Sequence, residues 1–409
     1  MEQNEVGRRD FLKKSLVAGA SLSALGGVAS GQDPVSEKKT DQDPDGVKLL
    51  PKVPRRELGG TGKKIPILLF GCSQVFDPKY DKMLHRGFKE GVDYLDTALV
   101  YAGGESHKTL APFVKQVGRE NLWITSKSPP RNNRATVETF TRDIDICLEQ
   151  LDVKHLDLYF MHYVSDPKYL EKEYIEMGDR LKKQNKTNFF GFSCHDGNVV
   201  ELMNKAARVG GIDAIMFRYS FGQYGDKELN KAIDNCKKAN IGLIAMKTQK
   251  SVPPEQEEVI KFKSKNFTLG QAKLKAVWAD ERIDSAVSHM DSLELLKENV
   301  AAAKSPIKLG MSDFHQLNRL AACTSGFSCM GCNHHCQPKI LAHTRVSDAL
   351  RYLMYYECYD EPDKAKELYR SMSPAERQID GVDFVDAMHA CPEGVDIATR
   401  LKLAQQLLA

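Results

Sequence analysis

The sequence predicts an α/β protein, a (β/α)8 TIM barrel followed by a mainly helical, cysteine-rich C-terminal extension. Three observations lead there. Apolar runs of strand length recur eight times between Ile65 and Val287, helix-length amphipathic segments separate most of them, and ionisable residues stand at the C-terminal ends of several runs.

In chain order the runs are Ile65–Phe70, Val92–Leu95, Leu122–Thr125, Leu156–Met161, Asn188–Phe192, Ile212–Phe217, Ile241–Met246 and Ile283–Val287. The segments Tyr80–Gly91, Ala135–Leu151 and Lys227–Ala239 read as intervening amphipathic helices. A doubly wound open sheet shares this alternation. Its G-x-G-x-x-G turn does not follow the first strand, however, and chemical residues gathered at several strand ends suit a barrel better. With 409 residues the chain exceeds the roughly 250 of one barrel, so a barrel over 55–310 is expected to be followed by a separate unit over 311–409.

Hydrophobic residues make up 42% of the chain and charged residues 28%, enough to bury a large core. The net charge of +3 arises from 58 basic and 55 acidic residues with no long single-sign block, which argues against nucleic acid or an anionic membrane surface as partner. The first thirty residues differ from the rest. Arg8-Arg9-Asp10-Phe11-Leu12-Lys13-Lys14 precedes an apolar, small-residue run from Ser15 to Ala29, and the R-R-x-F-L-K pattern resembles a twin-arginine export signal. That run is too short and glycine-diluted for a stable membrane span. Residues 1–30 are therefore expected to be a signal peptide, 31–54 a disordered linker rich in Asp, Lys and Pro, and the protein periplasmic.

The functional signal is a set of four residues at or just beyond the ends of three runs. Asp96 and Tyr101 follow V-D-Y-L-D-T-A, Lys127 closes L-W-I-T-S-K, and His162 closes L-D-L-Y-F-M-H. A tyrosine titrates near ~10 in water, so its phenol is a useful acid at neutral pH where a cation stabilises the phenolate. Lys127 supplies that cation, Asp96 would hold the lysine charged and in place, and His162 would orient a carbonyl beside the phenol. Singly these residues read as a helix cap, a surface tyrosine, a strand end and a core histidine; together and in order they point to carbonyl reduction by hydride transfer.

The four match, residue by residue, the Asp, Tyr, Lys and His tetrad of the aldo/keto reductases. Arg56-Glu57-Leu58-Gly59 with Thr61-Gly62 resembles that family's opening hairpin, T-R-D-I-D-I-C-L-E-Q-L-D-V-K-H-L-D-L-Y-F-M-H its central helix–strand segment, and S-L-E-L-L-K-E-N-V its adenine-side helix. The similarity runs from Arg55 to Ala303. It implies a small carbonyl-containing substrate, with NADP or NAD as hydride carrier. It also implies cofactor contacts: Ser193 on the nicotinamide amide, Tyr219 and Phe221 stacking on the ring, and Glu298 and Asn299 at the adenine. Cys194 and Met216 stand where the family has Asn and Gln. Leu295 replaces the arginine that pairs with a 2′-phosphate, and Asp291 and Glu294 nearby have the wrong sign, so preference for the phosphorylated nucleotide loses its support. A barrel that binds nucleotide as a sensor or scaffold, without turnover, and an iron-sulfur electron-transfer protein whose cluster is the working part are the alternatives.

In the extension, Cys323, Cys329, Cys332 and Cys336 give C-x5-C-x2-C-x3-C, and Cys391-Pro392 follows far downstream. The tight run resembles the bacterial ferredoxin pattern, with Gly326 where its first cysteine would stand, and some aldo/keto reductases carry such a tail. The resemblance implies one 4Fe-4S cluster on Cys329, Cys332 and Cys336, with Cys323 or Cys391 as fourth ligand, and an electron-transfer partner. A zinc site using His334 or His335, or disulfides in an oxidising compartment, are the alternatives. A-L-R-Y-L-M-Y-Y-E and A-T-R-L-K-L-A-Q-Q-L-L read as helices, their tyrosines packing the helices together.

Overall fold

The computed structural model describes residues 50–130, 134–249, 258–327, 329–359 and 361–409; the expected signal peptide and most of the linker lie outside them. A short antiparallel hairpin, β1 (Arg55–Glu57) and β2 (Lys64–Pro66), opens the described chain. Eight parallel strands then close into a barrel in sequence order. They are β3 (Leu68–Gly71), β4 (Tyr94–Asp96), β5 (Trp123–Ser128), β6 (Leu156–Met161), β7 (Thr187–Cys194), β8 (Ala214–Arg218), β9 (Gly242–Met246) and β10 (Ser285–His289).

Each predicted run holds one barrel strand, but the first is divided. Lys64–Pro66 belongs to the hairpin and only Leu68–Gly71 pairs with β4 and β10. Pro66 has no N–H to give a central ladder, which suits it to the end of a two-stranded edge pair. The hairpin stops the N-terminal end of the barrel: Leu58 and Ile65 are buried among Leu69, Tyr94, Leu158 and Phe160. The Arg56 guanidinium donates to the carbonyls of Trp278 at 2.6 Å and Ile283 at 2.7 Å, fixing that stopper. Only the C-terminal rim is left open for chemistry.

The strands are apolar on both faces because both are covered. Outward residues such as Phe70, Ile124 and Leu243 pack against Leu84, Phe140 and Ile233 of the surrounding helices. Helix Lys82–Glu90 starts where the Asp81 side chain accepts from the N–H groups of Met83 and Leu84, and it stops at Gly91, whose φ of 91° few other residues tolerate. Helix Leu269–Ala279 starts in a capping box of Thr268 and Gln271. Gly191 on β7 marks the tightest strand contact: a Cβ there would lie 1.9 Å from the Ala214 carbonyl oxygen on β8. Gly191→Ala is therefore expected to cost about 3 kcal/mol. A urea midpoint equal to that of the parent protein would refute this.

The extension has two parts. Helix Met311–Cys323 lies on the barrel's flank, with Phe314, Leu317 and Leu320 against Phe221, Phe267 and Ala276. Helices Val346–Cys358, Pro362–Ser371, Val385–Ala390 and Ile397–Leu408 share a second core that includes Leu350, Leu353, Tyr369, Phe384 and Leu401. Helix Val346–Cys358 is tied to the barrel rim by residues at three successive strand ends. Asp196, beyond β7, contacts Arg351 at 2.6 Å; Arg218, closing β8, reaches the Met354 sulfur at 3.8 Å; Lys247, beyond β9, sits 4.4 Å over the Tyr355 ring. Tyr355 thus faces the barrel as well as its sister helices, which is more than helix packing alone requires. Among the described residues no helix is long and apolar enough to cross a membrane.

Candidate active site

Asp96 ends β4, Lys127 lies within β5, and His162 follows β6, so three adjacent parallel strands carry them to the same rim. Tyr101 comes from the loop after β4, where Ala102 and Gly103 take positive φ values of 52° and 64° and turn the chain. The structure brings all four together. Lys127 Nζ lies 2.7 Å from Asp96 Oδ1, 2.8 Å from the Thr97 carbonyl and 3.5 Å from the Tyr101 hydroxyl. Three oxygen atoms around one ammonium match its three N–H donors. The His162 ring meets the Tyr101 ring edge to face at 5.5 Å.

Burial dominates the electrostatics of this group. It pushes the Lys127 ammonium down and the Asp96 carboxyl up, each opposed by the attraction of the other. Burial, and then the Asp96 charge, pushes Tyr101 well above its ordinary value. That is opposite to the direction expected from the sequence: Asp96 offsets the lysine, and the buried phenolate is penalised. The phenol therefore stays protonated, and because Lys127 donates to its oxygen, its own hydrogen remains to be given away. Burial, then Lys127 and Lys364, hold His162 well below the usual histidine range. Among the described residues neither ring nitrogen of His162 has a hydrogen-bond partner, although the side chain is fully buried. Such orphaned polar atoms are costly and fit a site that receives a ligand oxygen.

A model of the aldo/keto reductase family matches residues 69–253, from β3 to just beyond β9. The barrel is similar to the aldo/keto reductase family. L-galactose dehydrogenase of Arabidopsis thaliana is 26% identical over 295 residues, covering 64% of this chain and 92% of that protein. An aldo-keto reductase of Gibberella moniliformis is 29% identical over 175 residues, covering 40% of this chain and 50% of that one. Among solved structures, an aldo-keto reductase from Bacillus halodurans shares the fold with a TM-score of 0.56 at 18% identity, covering 66% of this chain and 96% of its own. A thermostable aldo-keto reductase solved with the inhibitor epalrestat gives 0.53 at 24%, covering 65% of this chain and 99% of its own.

The barrel treats the other sequence-chosen residues unevenly. Ser193, buried at the end of β7, accepts the Tyr163 N–H at 3.3 Å, which ties the segment after His162 to the next strand. Asn299 is buried and its side-chain NH2 donates to the Ser288 hydroxyl at 3.0 Å. The Glu298 carboxylate accepts from the Thr268 hydroxyl. Tyr219 departs from expectation: its hydroxyl donates to Asp280 at 2.5 Å and its ring packs beside Phe217 and Tyr224, so its face is spent on packing. Phe221 likewise packs against helix Met311–Cys323.

Sequence reasoning missed Tyr163, His195 and Tyr355. Tyr163 stacks on His162 at 3.5 Å and His195 lies 4.9 Å from Tyr163. Their positions one residue beyond His162 and Cys194 were the available signal, since strand ends carry the chemistry in barrels. For Tyr355, far along the chain, nothing in the local pattern indicated the rim.

Cys329, Cys332, Cys336 and Cys391 line one small cavity of about 20 Å³, walled also by Val346 and Ile397. Cys323 is exposed at the end of its helix and does not line that cavity, so of the two expected fourth residues the structure assembles Cys391 with the others. Burial, then the charges of Cys329 and Cys391, push the Cys336 thiol up to about 12. All ten cysteines are free thiols, so no pair is bridged. Among the described residues no group of three or more His, Cys, Asp or Glu stands at metal-coordinating separation. His335 lines the same cavity, and the His334 side chain lies outside the described residues.

Proposed function

We propose that the protein is an exported oxidoreductase that passes hydride between a nicotinamide nucleotide and a carbonyl or alcohol substrate. The observation that carries this reading is the Lys127 ammonium, 2.7 Å from Asp96 and 3.5 Å from the Tyr101 hydroxyl, beside a buried imidazole whose nitrogens have no hydrogen-bond partner among the described residues. A substrate oxygen placed between the Tyr101 hydroxyl and a His162 ring N–H receives two hydrogen bonds. As negative charge grows on that oxygen, Tyr101 gives up its proton and Lys127 stabilises the phenolate left behind. His162, held neutral, orients the oxygen as a donor. When bound, the nicotinamide supplies or accepts the hydride. Ser193, Glu298 and Asn299 would hold it, and Leu295 in place of a guanidinium removes the reason for preferring NADP over NAD.

The test is oxidation of NADH and NADPH by the purified protein with a panel of aldehydes, read by absorbance, together with nucleotide binding by calorimetry. Binding without turnover would favour a sensor or scaffold, and neither would sink the reading. The R-R-x-F-L-K segment supports periplasmic export.

Four thiols around one apolar-walled cavity match in number and chemistry the ligands of a single 4Fe-4S cluster, which would exchange single electrons with a partner protein. Cys391→Ser is expected to abolish bound iron and sulfide, and Cys323→Ser to leave about four of each per chain. Stoichiometric zinc with no sulfide would instead establish the tetrahedral alternative.

A further inference from the structure

Two cations at the barrel rim form no ion pair among the described residues. Lys247 forms no ion pair among the described residues; its Nζ lies 4.4 Å over the Tyr355 ring and 4.5 Å over the Tyr359 ring. The carboxylate it senses, Glu361, is gripped by Lys364 at 2.9 and 2.8 Å. Arg218, on the neighbouring strand and paired in register with Met246, is buried and also forms no ion pair among the described residues. Its charge opposes that of Lys247. By contrast, Arg345 and Arg351 in the same junction both have carboxylates, Asp196 and Asp348. Burial opposes the Lys247 charge, but Tyr355, Tyr359 and Glu361 together outweigh it, so the ammonium stays charged and able to meet an incoming anion.

Backbone geometry points to the same place. Lys247 has a φ of 57° and Tyr163, next to His162, a φ of 53°, a region long side chains seldom occupy. Strain of this kind persists where the surroundings hold a side chain in a particular direction. Lys247 acts on His195, which lies 4.9 Å from Tyr163, which stacks on His162 at 3.5 Å. Lys247 and His162 therefore belong to one wall of the rim. Beside its contact with the aromatic faces, the ammonium hydrogen-bonds the Tyr355 side chain, and its further N–H donors remain available to a ligand.

We infer that Lys247, seated under Tyr355 and Tyr359 of the extension, is an anion-recognising subsite, and that the substrate reduced at Tyr101 carries a carboxylate or similar anionic group. This rests on reading the barrel as a carbonyl or alcohol oxidoreductase. The extension then completes the substrate site, since its Tyr355 and Tyr359 rings seat the Lys247 ammonium.

The experiment compares kcat/KM for 4-carboxybenzaldehyde and 4-methylbenzaldehyde in the parent protein, Lys247→Met and Lys247→Arg, and measures terephthalate binding by calorimetry independently of turnover. The parent protein should favour the charged aldehyde by about tenfold or more, and Lys247→Arg should keep that preference. Lys247→Met should bring the ratio near one and weaken terephthalate about tenfold. A ratio near one in the parent protein, or one unchanged in Lys247→Met, overturns the subsite while leaving the oxidoreductase reading intact. Inert aldehydes with Lys247-dependent terephthalate binding would do the reverse. Should Lys247→Met fail to fold, the parent ratio decides.

Discussion

Tyr101→Phe is expected to lower kcat for carbonyl reduction about a thousandfold while nucleotide affinity stays within about twofold of the parent value. The substitution removes one oxygen and little else. The ring that meets His162 edge to face and lies 4.8 Å under Lys127 is kept. Lys127 retains Asp96 at 2.7 Å and the Thr97 carbonyl at 2.8 Å, so no buried charge is stranded. Lys127→Met would be a poorer probe, because it would leave the Asp96 carboxyl buried without its cation. Since burial and Asp96 raise the Tyr101 phenol, the parent enzyme should hold its proton-donating form from pH 6 through 9. Since burial also keeps His162 well below its usual range, no loss of rate should appear as pH falls through the ordinary histidine value. Steady-state kinetics across that range check both statements. A Tyr101→Phe enzyme retaining a tenth or more of the parent rate would remove Tyr101 from the chemistry.

Much of this site was legible in the sequence because a barrel turns chain position into spatial position. A residue at the C-terminal end of any strand arrives at the same rim, so Asp96, Lys127 and His162 could be placed together from apolar run lengths alone. Short runs also carry the reason for the one misplacement: Ile65–Phe70 is continuous in hydropathy, but Pro66 separates a hairpin strand from a barrel strand. Aromatics at strand ends were less legible. Tyr219 and Tyr163 follow β8 and β6 by one and two residues, yet Tyr219 is used by Asp280 and Tyr163 lies on His162. Periodicity tells which residues are buried but not which neighbour buries them. Contributions from the extension were least legible, because Tyr355 and Cys391 reach their places through tertiary packing that no local pattern encodes.

The second large effect concerns the junction that brings Tyr355 to the rim. Asp196→Asn is expected to destabilise the extension by about 3–5 kcal/mol, whereas Asp348→Asn should cost about 1 kcal/mol or less near pH 6. The two carboxylates share two guanidiniums: Asp196 meets Arg345 at 3.0 Å and Arg351 at 2.6 Å, and Asp348 meets the same pair at 2.6 and 3.1 Å. Burial opposes the charge on Asp196, but Arg351 and Arg345 outweigh it and hold that carboxyl below its ordinary value. Burial, and then the charge of Asp196, push Asp348 up to about 7 despite the same guanidiniums. One of the pair is therefore the working anion and the other lies close to its neutral form, which an amide imitates. Removing Asp196 strips Arg351, only 10% exposed in its side chain, of its 2.6 Å partner and leaves it Asp348, whose ionisation burial still opposes. The asymmetry separates this arrangement from a simple sum of ion pairs, in which both substitutions would cost alike. Urea denaturation at pH 6, with limited proteolysis to report release of helix Val346–Cys358, measures it. Equal penalties for the two variants would mean that the guanidiniums are neutralised evenly, and the extension would then be held to the rim by its apolar contacts instead.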